Sequence, residues 1–170
     1  VVSAFAFGQF AVGAKGGVPF SYTRGDDVQD SWEPGIGIGF SGGLFASYAF
    51  SDMFGVQVEG LFSRITTSWF SGDATSSQSV IEIPVFAKVM LPAGPGNFVV
   101  FAGPEAQIGV GKSVYDDGSS TTESELDKNF AFAAAGGAGY ELPLGPGFLT
   151  FDGRYVFQLT NFADGDVKQY

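Results

Sequence analysis

The chain is 170 residues long, enough for one domain, and 45% of its residues are hydrophobic while only 15% are charged, against about 25% charged residues in a typical soluble domain. Its formal net charge of −10 argues against binding to nucleic acid, which needs clustered Lys and Arg. The sequence has no cysteine and no histidine, which excludes disulfides, thiolate nucleophiles, triads with a histidine base, and zinc sites built on Cys or His.

The first eight residues, Val1–Gly8 (VVSAFAFG), are apolar and end in small residues. This composition is typical of the end of a secretory signal peptide whose basic start is missing, so we interpret residues 1–8 as a signal-peptide remnant. The alternative is that these residues extend the first strand.

The next segment, Gln9–Tyr22, alternates between two kinds of side chain. Apolar residues such as Phe10, Val12 and Phe20 occupy even positions, whereas Lys15 and several small residues occupy odd positions. Side chains of a strand point to opposite faces with a period of two, so the pattern predicts a strand with one apolar face. Its length suits a tilted strand that crosses a bilayer.

Six further segments repeat this alternation along residues 9–170, which we assign to one domain. Together the seven predicted strands are Gln9–Tyr22, Gly35–Phe50, Phe54–Phe70, Val80–Leu91, Phe98–Lys112, Phe130–Leu142 and Phe148–Thr160. The alternation and the abundant Phe predict an all-β, antiparallel, up-and-down transmembrane β-barrel with its apolar face toward lipid.

The predicted connections are of two kinds. Short turns are expected at Ser51–Met53, Pro92–Asn97 and Pro143–Gly147, and longer polar connections at Thr23–Pro34, Ser71–Ser79, Ser113–Asn129 and from Asn161 onward. Outer-membrane barrels have short periplasmic turns and longer external loops. We therefore expect a periplasmic N-terminus and a bacterial outer-membrane location.

Seven strands cannot close an up-and-down barrel of the bacterial type, which has an even number. An open edge in hydrocarbon would leave backbone groups unpaired. We therefore expect eight strands, with the last one lying after Tyr170. The alternative is that two short strands are merged in one of the seven segments.

A membrane-spanning helix is the main competing interpretation, because Gly35–Ser51 contains no charge over 17 residues. Five of these residues are glycine, and each costs about 1 kcal/mol in a helix interior. Ile36, Ile38 and Phe40 also alternate strictly, which favours a strand.

Several stretches of the chain resemble a known family of bacterial outer-membrane β-barrel domains, often called PorT-like. The matching stretches are GAKGGVPFS (Gly13–Ser21), GGLFASYAFSDMFGVQVEGLFSR (Gly42–Arg64), IEIPVFAKV (Ile81–Val89), FAGPEAQIG (Phe101–Gly109) and DGRYVFQLT (Asp152–Thr160). The resemblance implies an eight-stranded barrel in the outer membrane that ends on a further strand closing with an aromatic residue. The resemblance by itself indicates no particular activity.

Seven charged residues fall on the predicted inner face of five strands. They are Lys15, Glu59, Glu82, Lys88, Glu105, Asp152 and Arg154. An eight-stranded barrel is just wide enough for side chains to fill it, and buried charges must be paired. We interpret the seven as a polar plug; the alternatives are a narrow or gated ion path and an acid–base pair formed by Glu59 and Glu82. Phe45, Leu61 and Phe101 fall on the same face and blur the pattern.

Acidic residues are concentrated in two predicted external loops, and the candidates for weak binding of divalent cations are Asp26, Asp27, Asp30, Asp116 and Asp117. Carboxylate oxygens suit Ca²⁺ or Mg²⁺, although no spacing here matches a defined calcium loop. The alternatives are contact with an extracellular partner and simple solvation. We expect no cofactor, no nucleic acid partner, a monomer, and outer-membrane lipid around the barrel.

Three functions follow from this interpretation. The first is a non-enzymatic outer-membrane barrel with an envelope structural, adhesion or partner-contact role. The second is a soluble or periplasmic lipocalin-like barrel, whose apolar face would point inward toward a small apolar ligand. The third is a membrane-embedded hydrolase, which without histidine would need an unusual carboxylate or lysine mechanism.

Overall fold

The computed structural model describes residues 2–7, 9–22, 36–69, 74–116, 121–125 and 130–160. All regular elements in these ranges are strands: β1 (Val2–Phe7), β2 (Phe10–Gly17), β3 (Phe20–Tyr22), β4 (Ile36–Ala49), β5 (Phe54–Trp69), β6 (Ala74–Ala93), β7 (Gly96–Asp116), β8 (Thr121–Glu125), β9 (Phe130–Leu144) and β10 (Gly147–Gln158). No helix in the described ranges is long and apolar enough to span a membrane.

Seven strands run up and down in one antiparallel sheet, each paired with its neighbour in sequence. β2 and β3 both pair with β4 and form one interrupted strand, because Pro19 between them has no N–H to donate to a ladder. β8 and β9 likewise pair with successive parts of β7. The predicted all-β, antiparallel, up-and-down architecture is confirmed.

β1 lies between the first and last of these strands. It pairs with β10 from Val2↔Thr150 to Phe5↔Gly147, and with β2 from Val2↔Lys15 to Phe7↔Phe10. Residues 2–7 thus bridge the two edges of the curled sheet at the end with the short turns. The origin of residues 1–8 in a signal peptide and the further strand after Tyr170 stay predictions.

The outer face of the sheet is apolar. Ile38, Ile83 and Phe151, which lie on the apolar faces of three predicted strands, are 54%, 39% and 54% exposed. The inner face carries buried Glu59, Lys88 and Glu105 instead. This arrangement is the reverse of a lipocalin-like barrel, which would turn its apolar face inward.

Two of the short turns are built in the same way. Gly94-Pro95 joins β6 to β7 and Gly145-Pro146 joins β9 to β10, and both glycines have a positive φ, of 62° and 58°. A glycine with positive φ at the first central position is what a two-residue type II′ hairpin requires.

The strands extend further than expected at the opposite end. β6 has 20 residues and β7 has 21, whereas about 9–11 residues suffice to cross a bilayer. The predicted connections Ser71–Ser79 and Ser113–Asn129 therefore contain strand residues, because hydroxyl pairs such as Thr66 with Ser77, 3.1 Å apart, continue the pairing past the apolar zone. The connection Thr23–Pro34 lies outside the described residues.

Candidate functional site

The structure places all seven inward charges that the alternation predicted inside the barrel. Each sits on a strand position whose neighbours in sequence point outward, as in β10, where Asp152 and Arg154 alternate with the exposed Phe151 and Tyr155. We call the ion-paired interior residues the lumen network.

Arg154 is the hub of the lumen network. Its Nη1 lies 3.2 Å from Glu59 Oε2 and 3.7 Å from Glu105 Oε2, and its Nη2 lies 3.2 Å from Glu82 Oε2. One guanidinium thus joins carboxylates from three other strands, and its planar fork of five donors suits this task.

Lys15 completes the network on the other side of Glu59. Its Nζ is 3.0 Å from both Glu59 Oε1 and Asp152 Oδ2. Gln57 Nε2 donates a further hydrogen bond of 2.6 Å to Glu59 Oε1. Both oxygens of Glu59 are therefore held by cationic or amide donors, and its side chain is fully buried.

A second cluster forms nearer the short turns. Lys88 Nζ lies 2.6 Å from Glu141 Oε1 and donates to Gln57 Oε1 at 3.0 Å. Glu141 was missed by the sequence analysis, although its odd position in β9, next to the outward Tyr140, was a sufficient signal. Gln107 and Gln158, which alternation places on the same inner faces as Glu105 and Arg154, add an uncharged pair; Gln158 Nε2 donates to Gln107 Oε1 at 2.8 Å.

The charges of the lumen network do not balance. Three cations, Lys15, Lys88 and Arg154, face five carboxylates, those of Glu59, Glu82, Glu105, Glu141 and Asp152. Glu105 is the least compensated of these carboxylates, because its side chain is fully buried and its Oε2 accepts no hydrogen bond. Its Oε1 accepts one from Gln107 at 2.6 Å.

Two phenylalanines pack beside cations of the lumen network, and we call them the aromatic layer. The rings of Phe86 and Phe101 lie 5.0 Å apart and pack with buried Val99 and Ala135. Arg154 Cζ lies 5.8 Å from the Phe86 centroid, within the range of cation–π attraction. Lys15 Nζ lies 5.7 Å from that of Phe101.

The apolar residues on the predicted inner face pack inside the barrel. Phe45 is buried and packs on Phe148, with ring centroids 6.2 Å apart, and Leu61 is buried as well. Side chains of this size fill the lumen of a narrow barrel.

A cavity of about 190 Å³ opens near the short turns. Its lining includes Lys88, Glu141, Phe148, Gln9 and Ser47. Glu59 and Glu82, the pair considered for acid–base chemistry, do not line it; both are held by Arg154 instead.

The acidic loop candidates fall almost wholly outside the described residues. Asp26, Asp27, Asp30 and Asp117 are not among them, and Asp116 is the last residue of β7. Within the part of the chain that the structure describes, no three His, Cys, Asp or Glu residues are grouped so as to hold a metal ion.

Comparison with known proteins adds to this geometry. The model of a family described as outer membrane protein beta-barrel domain matches residues 5–164, nearly the whole chain. No curated protein and no solved structure matches the chain. The narrower PorT-like assignment and its eight strands stay predictions. The inverted polarity of the sheet and this match agree, and the chain belongs to the outer membrane protein beta-barrel domain family of the bacterial outer membrane.

Proposed function

We propose that this chain is a non-enzymatic barrel with a closed lumen, which holds long connections outside the cell in an envelope structural, adhesion or partner-contact role. The observation that carries the proposal is the lumen network, in which Arg154 and Lys15 tie together side chains from β2, β5, β6, β7 and β10.

The burial of these charges favours a lumen filled by side chains and argues against an open channel. A water-filled pore would leave its lining charges in contact with solvent, as in large porins. Here the side chains of Glu59 and Glu105 are fully buried, and those of Lys15 and Arg154 are only 12% and 15% exposed. A narrow or gated path would require the lumen network and the aromatic layer to rearrange together.

The same contacts weigh against catalysis. A general base must be free to take a proton from a substrate within hydrogen-bond reach. Both candidate carboxylates, Glu59 and Glu82, are engaged by Arg154, and neither lines the cavity near the short turns. The chain also has no histidine or cysteine to serve as base or nucleophile.

The role outside the cell rests on the strand lengths and the loop composition. β6 and β7 are about twice as long as a bilayer requires, so their ends remote from the short turns extend well beyond the lipid. Weak divalent-cation binding by Asp26, Asp27, Asp30, Asp116 and Asp117, or contact with an extracellular partner, is part of this proposal.

The closed lumen is tested by single-channel recording of the purified protein in planar lipid bilayers. We expect a current indistinguishable from that of the protein-free bilayer. Large, steady conductance steps would contradict the proposal. An aqueous fraction that holds the protein without detergent would instead favour the lipocalin-like alternative.

A further inference from the structure

The cavity of about 190 Å³ near the short turns has two opposite charges in its lining, those of Lys88 and Glu141. These residues are only 6% and 7% exposed, and Lys88 Nζ lies 2.6 Å from Glu141 Oε1. The other described residues of the lining carry no formal charge. A ligand that enters the cavity therefore meets a positive group and a negative group side by side.

The ion pair in this cavity does not use all the hydrogen-bonding groups of the lining. Lys88 has three ammonium N–H groups, and its described acceptors are Glu141 Oε1 and Gln57 Oε1, the latter at 3.0 Å. Glu141 Oε2 takes no part in the pair. Gln9 Oε1 accepts a hydrogen bond of 2.9 Å from Tyr48, which does not involve the amide nitrogen of Gln9. Within the described residues, the lining thus holds donors and an acceptor that these bonds leave unused.

Apolar walls of the cavity belong to the packed interior of the barrel. Phe148 packs on buried Phe45, and Lys88 Nζ lies 5.8 Å from the centroid of the Phe148 ring. Met90 packs against the cluster that contains the aromatic layer. Ligand sites combine such walls with a few polar groups that fix orientation. Since pockets for drug-sized ligands measure roughly 300–1,000 Å³, this cavity suits a smaller molecule.

The charges around the cavity limit what can bind in it. The lumen network has more carboxylates than cations, so a free anion is repelled overall. A free cation that approaches Glu141 meets the ammonium of Lys88 at the same place. Separating these two buried groups is costly unless each finds another partner. A ligand that carries both charges can offer its carboxylate to Lys88 and its ammonium to Glu141, so that neither is left unpaired.

We propose that this cavity binds the ammonium and carboxylate groups of a free α-amino acid with a small side chain. Such a molecule carries both charges on one carbon atom, as the neighbouring Lys88 and Glu141 require. Its side chain would contact Phe148 and Met90. The site lies at the end that outer-membrane barrels turn toward the periplasm. It does not depend on the role proposed for the long connections at the opposite end.

Equilibrium dialysis of labelled L-alanine against the purified, folded protein in an uncharged detergent tests this proposal. The competitors are unlabelled L-alanine, L-lactate and L-alaninamide. The last two match L-alanine in size but carry only the carboxylate or only the ammonium. Ser47→Trp fills the cavity without removing either charge, because Ser47 belongs to its lining. Leu144→Trp, at a position 65% exposed near the same end of the barrel, is the matched control.

We expect saturable binding of L-alanine. L-Lactate and L-alaninamide should compete roughly tenfold more weakly or less than unlabelled L-alanine, because each lacks one charge-assisted contact. Binding should be lost in Ser47→Trp and kept in Leu144→Trp. The competition needs no substitution, so it decides the matter even if Ser47→Trp does not fold. Absence of saturable binding, equal competition by either single-charge analogue, or binding retained in folded Ser47→Trp would each overturn the proposal.

Discussion

Arg154 is the residue on which most of the interior depends, because its guanidinium faces Glu59, Glu82 and Glu105 at once. Substitution Arg154→Met keeps a long side chain but leaves three buried carboxylates without their shared cation. Since removing one partner of a buried ion pair is strongly destabilising, we expect a loss of roughly 3–5 kcal/mol in the free energy of unfolding. Urea unfolding in lipid vesicles, followed by tryptophan fluorescence, measures it.

The control is Arg64→Met, because Arg64 lies exposed on β5 outside the lumen. It should change the unfolding free energy by no more than about 0.5 kcal/mol. An equal loss in both variants would show that the ion pairs of Arg154 add nothing to stability.

Glu59 and Glu105 are both fully buried, but their surroundings differ. Both oxygens of Glu59 are held by donors, whereas Oε2 of Glu105 accepts no hydrogen bond in a lumen that already has excess negative charge. We expect Glu59→Gln to destabilise by about 3 kcal/mol or more, because it removes the carboxylate that both Lys15 and Arg154 contact. Glu105→Gln should be neutral within about 1 kcal/mol or stabilising, because it removes a costly buried charge.

The same urea titration compares the two variants side by side. The isosteric change in each keeps the side-chain volume, so the difference reports on charge and not on packing. A larger loss for Glu105→Gln than for Glu59→Gln would contradict this account of the charge balance.

Among the elements, the backbones of β6 and β7 approach each other very closely at Gly103. A Cβ added at Gly103 would run into the carbonyl of Val85 on β6, whereas a Cβ at Gly153 on β10 would meet nothing within 4 Å. We expect Gly103→Ala to cost roughly 1–3 kcal/mol through forced strand separation. Gly153→Ala, the matched control, should stay within about 0.5 kcal/mol of the unsubstituted protein.

Thermal unfolding in detergent, read by circular dichroism at a β-sheet wavelength, checks this pair. A midpoint for Gly103→Ala equal to that of Gly153→Ala would mean that β6 and β7 can separate there without penalty.

The strands and their faces were predictable from the sequence, but the residues at which the strands end were not. A period of two assigns every residue of β9 or β10 to one face of the sheet. A single outward residue such as Phe151 therefore determines which face its neighbours in sequence occupy. Strand ends depend on where pairing stops, and Ser- and Thr-rich segments such as 74–79 pair beyond the lipid although they look like loops. The place of β1 depends on pairing with β10, about 145 residues away, which no local pattern encodes.

Interior composition was predictable only in part, for a similar reason. Alternation identified the inward charges from Lys15 to Arg154, but it does not say which carboxylate a given cation meets. The seemingly misplaced Phe101 belongs to a layer that exists only when β6 and β7 lie side by side. Sequence alone could not show that this ring packs against Phe86 inside the barrel instead of breaking the pattern.

At the scale of the whole molecule, the closed lumen that we propose depends on the aromatic layer as well as on the ion pairs. We expect Phe86→Ala combined with Phe101→Ala to produce small, flickering conductance steps in planar bilayers, because removing two buried rings leaves space for water. The matched control is Phe130→Ala with Phe132→Ala, an aromatic pair 4.7 Å apart on the outer face.

This outer-face double variant should remain silent in the same recordings. A silent Phe86 and Phe101 double variant that still folds would show that the lumen network alone seals the barrel.

The sequence separation within the lumen network bears on how this protein enters its membrane. Arg154 arrives with the last described strand, yet its partners Glu59, Glu82 and Glu105 precede it by 49 to 95 residues. A half-inserted sheet would carry Glu82 and Glu105 into hydrocarbon without their cation, and Glu59 with Lys15 alone. Insertion of one strand after another would therefore cost free energy. The network favours a concerted insertion, in which the sheet curls into a barrel before it enters the membrane.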